Sequence, residues 1–160
     1  MSKLLPLTKG KYSIVDDEDF EWISQWKWSA DTNNYVGRYK KNKGKRKRVL
    51  LHRLIIGTPD GMDTDHINRN RLDNRKENLR ICTRSQNNSN KIKQKNKCHS
   101  KFKGVTFHEQ MKKWQAQIRY DGHYHYLGLF DTEEDAAMAY NKQAILHHKD
   151  FSVLNEVPHE

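Results

Sequence analysis

Apolar residues fall in short runs along this chain, and the period inside each run assigns the element. Residues 11 to 15, KYSIV, predict a strand. In the segment DEDFEWISQW that follows, Phe20, Ile23 and Trp26 stand at helical spacing. The acids from Asp16 to Asp19 favour the positive end of that short helix, and Phe20, Trp22, Trp26 and Trp28 are its expected core side chains. KWSAD and YVGRY predict a hairpin turning at Asn33-Asn34. VLLHRLIIG predicts a strand running into a short helix, stopped by Gly57 and the turn Thr58-Pro59-Asp60-Gly61. Asp65 and His66 then lie on a strand, a polar loop follows, and Leu79 to Thr83 give a second strand. Thr83 and Gln86 are spaced as a capping box for a helix carrying Asn87.

From Phe102 onward the pattern is that of a small separate unit. GVTFH, KWQAQIRY and HYHYLGLF are three aromatic and β-branched runs, the last two joined at Asp121-Gly122. Thr132 and Asp135 then open a helix whose Ala136, Ala139, Tyr140, Gln143 and Ile145 to Leu146 are expected to face the sheet. Trp114 reads as core, and Gly104 and Gly128 as places where backbones approach closely. The expected class is therefore α+β: a small amino-terminal α+β region with a strand–loop–strand–helix core, then a three-stranded antiparallel sheet packed on one helix. The expected boundaries are 1–88, a linker over 89–101, and 102–160.

Charge changes the picture more than composition does. The 160 residues carry a net charge of +10, an excess that draws polyanions and releases their counterions on binding. Residues 38 to 48 hold eight basic side chains and no acid: Arg38, Lys40, Lys41, Lys43, Lys45, Arg46, Lys47 and Arg48. Such a run is explained by a polyanion that neutralises it. Residues 89 to 103 add six lysines, among them Lys93, Lys95 and Lys103, in linker composition. Nucleic acid, as double-stranded DNA, is the expected partner. No apolar stretch approaches the ~20 residues of a membrane span, and no secretory core opens the sequence, so the expected location is the cytosol. Two cysteines, Cys82 and Cys98, fit a reducing compartment and are too few for a zinc finger.

Asp65, His66, Asn78 and Asn87 carry the candidate chemistry. Hydrolysing a phosphodiester needs a base to take a proton from water, for which imidazole has a suitable pKa. It also needs charge stabilisation at the phosphate. A hard cation such as Mg2+ (or Mn2+) takes oxygen ligands of the Asp and Asn kinds and keeps positions open for phosphate.

The order LHRLI, DHIN, N-x-x-DN, NLR and T-x-x-QN over Leu51 to Asn90 resembles the HNH endonucleases, in the homing branch of phages and introns with a ββα-metal core. That resemblance implies His66 as general base, Asp65 and Asn87 as metal ligands, and Asn78 as the residue that ties the loop and sets the histidine. Many members have a second His where this chain has Asn87. His52 is expected to make a structural hydrogen bond. Asn68, Asn70, Asp73 and Asn74 read as loop-formers, and Arg69, Arg71, Arg75 and above all Arg80 as phosphate contacts. The pieces FKGV, KWQAQI, YLGLFDT, EDAAMAYN and the LNE of Leu154 to Glu156 resemble the plant APETALA/ethylene-response-factor DNA-binding domain. Its sheet would meet the major groove through Lys103, Thr106, His108, Arg119, Tyr124 and Tyr126. The plant arginines are replaced at Thr106, His108 and Tyr124, so base preference does not carry over. Together these imply a homing-type DNA endonuclease encoded by a phage or mobile element in a bacterial host, as a monomer or homodimer. The alternative is a non-catalytic DNA-binding regulator on a nuclease-derived scaffold; an RNA-binding protein would use the same charge and aromatics.

Overall fold

In the computed structural model, which describes residues 1–42, 44–93 and 100–158, the chain forms two units, Met1–Arg84 and Ser85–Glu160. Lys43, Lys95 and Cys98 lie outside the described residues, as does much of the expected linker.

The first unit begins with a strand that the hydrophobic pattern does not announce. β1 (Ser2–Pro6) pairs antiparallel with β2 (Tyr12–Asp16), with Leu5 opposite Ser13. α1 (Asp17–Ile23) follows directly. Asp16 does not cap it with its side chain; its carboxylate instead accepts the Lys76 backbone N–H at 2.7 Å. α1 stops at Ile23, so Trp26 falls off the helical face and is 38% exposed, whereas Trp28 is buried and donates its indole N–H to the Ile23 carbonyl at 2.8 Å. Leu5, Leu7, Val15, Ile23, Trp28, Val36 and Leu51 form one core, with Phe20 and Trp22 packed at its edge.

β3 (Ser29–Ala30), β4 (Val36–Asn42) and β5 (Lys45–Leu50) make an antiparallel sheet in that order. The Asp31 carboxylate accepts the N–H groups of Asn33 and Tyr35 and so shapes the turn between β3 and β4. The basic tract is a two-stranded ribbon, with Lys40 opposite Lys47 and Lys41 opposite Arg46. Like charges set directly across a ladder destabilise it, so the ribbon is built for something other than stability. α2 (Leu51–Ile55) leads into β6 (Asp63–His66), which pairs antiparallel with β7 (Leu79–Cys82); α3 (Arg84–Ser89) follows.

The second unit holds α3 from Ser85 onward, then β8 (Val105–His108), β9 (Lys113–Tyr120) and β10 (His123–Phe130), in the order β10-β9-β8, and α4 (Glu133–His148). The Thr132 hydroxyl accepts the Asp135 N–H and caps α4. Ala136, Ala137, Tyr140 and Ala144 are its buried residues. Ile145 and Leu146 are exposed, contrary to expectation, because the inner face continues from Tyr140 to Ala144 at i+4 and leaves 145 and 146 outside it. The side chain of Asn155 bonds both backbone groups of Lys103, and Asn141 closes on Asn155, which gives the LNE piece a structural task. Among the described residues no helix is long and apolar enough to cross a membrane.

Gly104, just before β8, lies directly against Tyr140 of α4. Its φ is +77°, and a Cβ there would collide with the Tyr140 ring and stand 2.6 Å from the Gln117 carbonyl oxygen. Gly104→Ala is expected to destabilise the second unit by roughly 3 kcal/mol, from overpacking and left-handed strain together. Urea unfolding followed by hydrogen exchange at β9 measures it; an unchanged midpoint would show that this contact relaxes freely.

Candidate active site and nucleic-acid interface

The connection between β6 and β7 is a self-stitched loop. The Asn78 side chain accepts the Asn68 N–H at 2.9 Å and donates to the Asp73 carbonyl at 2.7 Å. Asn68 in turn accepts from the Asn70 N–H and donates to the Asp73 carboxylate. Arg75 clamps Asp73 through Nε and Nη2. The loop-forming reading of Asn68, Asn70 and Asp73 thus agrees with their bonds. Arg71 donates to the Asn33 carbonyl and lies over the Tyr35 ring. Arg71 and Arg75 are therefore engaged within the protein, and Arg69 is exposed.

Asp65 and His66 are consecutive on β6, and both are buried. Asp65 stands opposite Arg80 in the ladder, and Arg80 donates Nε and Nη2 to its Oδ2 at 2.9 and 2.7 Å. The guanidinium that was expected on phosphate is thus held on the carboxylate of the motif. His66 sits edge-on to His52, ring centroids 5.0 Å apart, with Tyr35 at 6.3 Å. Its Nε2 is 3.3 Å from Asn74 Oδ1. Burial lowers the His66 pKa, against the opposing pull of the Asn74 bond and the Asp65 charge. The imidazole is consequently neutral at neutral pH, the form a general base needs. His52 on α2 is depressed further, to about 3, first by burial and then by the neighbouring His66. Among the described residues its Nδ1 is buried with no hydrogen-bond partner, and its ring packs against those of Tyr35 and His66 in place of the expected hydrogen bond. The residue missed from sequence is Asn74: a polar side chain 0% exposed and directed at His66 is indistinguishable, in a loop rich in Asn, from its turn-forming neighbours.

The expected DNA contacts divide into two groups. On the ribbon, Lys40, Lys41, Lys45 and Arg46 are exposed. Arg38 stacks over Trp26 at 4.3 Å, and Arg48 is paired with Asp31 at 2.9 Å. In the second unit the ladder places Thr106, His108, Arg119, Tyr124 and Tyr126 on the sheet face away from α4: Thr106, His108, Tyr124 and Tyr126 pair with Gln115, Lys113, Arg119 and Gln117, which alternate along β9 with the buried Ala116 and Ile118. Tyr124 and Tyr126 are exposed, and Arg119 lies over Tyr124. Lys93 and Lys103 are used differently: Lys93 Nζ donates to the carbonyls of Phe102 and Val105, and Lys103 Nζ to that of Ser89.

Residues 49–89 match the family model of the HNH endonucleases. The chain is also 30% identical over 155 residues to an uncharacterized HNH endonuclease of Acanthamoeba polyphaga mimivirus, covering 96% of this chain and 80% of that protein. The chain belongs to the HNH endonuclease family. This HNH nuclease is further 44% identical over 61 residues to APETALA2-like protein 2 of Oryza sativa, in both the indica and japonica subspecies. That match covers 37% of the chain and only 14% of the rice protein.

HNH nucleases generally depend on a divalent metal, and the donors here fit one. Among the described residues no group of three or more His, Cys, Asp and Glu is placed to hold an ion alone. Asp65, a buried carboxylate whose Oδ2 is held by Arg80, is the residue that would offer such an ion a hard oxygen. Such a sparse set suits a hard divalent cation that completes its shell with water and substrate phosphate. Asn87 lies on α3, beyond Arg84 and so in the second unit.

Proposed function

We propose that this HNH nuclease is a site-recognising, homing-type endonuclease that hydrolyses a phosphodiester of duplex DNA. In this reading His66 is the general base, Asp65 offers a ligand to one divalent cation, Mg2+ or Mn2+, and Asn78 keeps the catalytic loop in shape. The observation that carries it is the placement of His66: a buried imidazole with Nε2 3.3 Å from Asn74 Oδ1, next along the strand to the buried carboxylate of Asp65.

The chemistry follows from those groups. Nδ1 of His66 takes a proton from water as the hydroxide oxygen bonds to phosphorus. The bond from phosphorus to the leaving sugar oxygen then breaks, and that oxygen is protonated from solvent. A bound divalent cation supplies positive charge against the developing charge on the phosphate. Arg80 holds the Asp65 carboxylate in one orientation. The ribbon side chains from Lys40 to Arg46 supply phosphate contacts that carry no sequence information. The outer sheet face, with Arg119, Tyr124 and Tyr126, is the proposed base-reading surface; the partial likeness to the rice proteins supports it. One catalytic motif per chain makes nicking the natural product of a monomer.

Incubating the protein with long duplex DNA and Mg2+ tests this reading. The expected result is nicks at recurring positions, none in EDTA, and none in an RNA duplex. Cleavage that persists in EDTA would overturn the metal assignment, and nicks scattered at random would overturn site recognition.

A further inference from the structure

The loop that carries Asn74 is gripped from the amino-terminal hairpin. The Ile14 N–H donates to the Leu72 carbonyl and the Asn74 N–H to the Ile14 carbonyl, both at 2.8 Å. The Ser13 hydroxyl donates to the same Leu72 carbonyl at 2.8 Å, and Asn74 Nδ2 donates to Ser13 Oγ at 2.8 Å across 61 residues of sequence. Ser13 and Asn74 are both 0% exposed.

The acceptors fix every direction in this chain of bonds. A carbonyl oxygen only accepts, so the Ser13 proton goes to Leu72 and Ser13 Oγ receives from Asn74. The second Asn74 amide proton is directed at the Arg71 carbonyl at 3.2 Å. With both amide protons used, the amide oxygen is the atom facing His66. It too only accepts, so Nε2 of His66 carries the proton and Nδ1 keeps the lone pair.

We infer that Ser13 and Asn74 are positioning residues for catalysis, selecting the His66 tautomer in which Nδ1 is the base. The amino-terminal hairpin is then a working part of the nuclease centre, although Ser13 lies well outside the matched residues 49–89. The inference rests on the proposed role of His66 as base. Asn78, to which the family resemblance gives the task of setting the histidine, spends its side chain on the loop backbone at Asn68 and Asp73. A partner that fixes the tautomer and ring orientation of a working histidine is worth roughly 10- to 100-fold in activity.

Long-range proton–nitrogen NMR of the full chain labelled at histidine reads the tautomer without reference to activity, with His66 assigned by the signal lost in His66→Gln. At neutral pH the wild type is expected to show Nε2 protonated. Asn74→Leu should give a mixture of tautomers and a kcat roughly 10- to 100-fold lower, with KM for duplex DNA unchanged. Ser13→Thr, which keeps the hydroxyl, should retain the wild-type pattern, and Ser13→Ala should weaken it. An Nδ1-protonated His66 in the wild type, which requires no variant to fold, overturns the inference. So does a wild-type spectrum and kcat in Asn74→Leu, or a tautomer change produced by Asn78→Ala alone. A wild type that shows the expected tautomer yet never cuts DNA with Mg2+ would instead overturn the nuclease mechanism and leave the hydrogen-bond relay standing.

Discussion

His66→Ala is expected to slow single-turnover cleavage of duplex DNA by roughly 100- to 10,000-fold, the usual worth of a positioned general base, with affinity for DNA nearly unchanged. Affinity should survive because His66 is only 4% exposed and offers almost no surface to a duplex. The ring also packs against His52 and Tyr35, so its removal opens a cavity and costs stability as well. Two controls separate these effects. His66→Gln fills much of the cavity and should be as slow as His66→Ala, since an amide is no base near neutral pH. Added imidazole, which fits the space vacated in His66→Ala, should restore part of the rate there and none in His66→Gln. Cutting at the wild-type rate by folded His66→Ala would remove His66 from the mechanism.

What was legible in the sequence was whatever periodicity or local chemistry reports. The three strands of the second unit and the Thr132 cap depend on neighbours within a few residues, and they stand where the pattern put them. The same holds for β6, β7 and the turn at Gly57. β1 was not legible because Ser2 to Pro6 shows no alternation of apolar and polar residues; it is a strand because β2 offers it a partner. The basic tract showed its charge but not its shape, since Lys and Arg are poor strand markers and the ladder forms by extension from Val36 and Leu50. At the site, motif spacing pointed to Asp65, His66 and Asn78, all of them buried around one loop. It did not show Arg80 on Asp65 or Asn74 on His66. Both are contacts between residues 8 to 15 positions apart, set by strand register and loop closure, which a motif does not encode.

His52 should make the first unit acid-sensitive well above the carboxylate range. Its folded pKa is about 3 against an ordinary 6.5, held down by burial first and then by His66, Arg53, Arg48 and Arg71. The unfolded chain therefore binds a proton that the folded chain refuses. The stability this represents is fully present above the unfolded value and is lost as pH falls from about 6.5 toward about 3. With these values about 2 kcal/mol disappears between about pH 7 and about pH 5. Asp73 does not add to that loss: Arg75 holds its carboxyl below the ordinary value, and its contribution is lost only at lower pH. Urea unfolding followed by fluorescence of buried Trp28, at several pH values in that window, measures the slope. His52→Phe keeps a ring against His66 and Tyr35 and removes the titrating nitrogen, so its slope should flatten to the share left by His66, whose pKa is also lowered by burial. An equal acid loss in His52→Phe and the wild type would mean that the buried ring escapes to water before it is protonated. In that case the core around Leu51 and Val36 is looser than its complete burial implies.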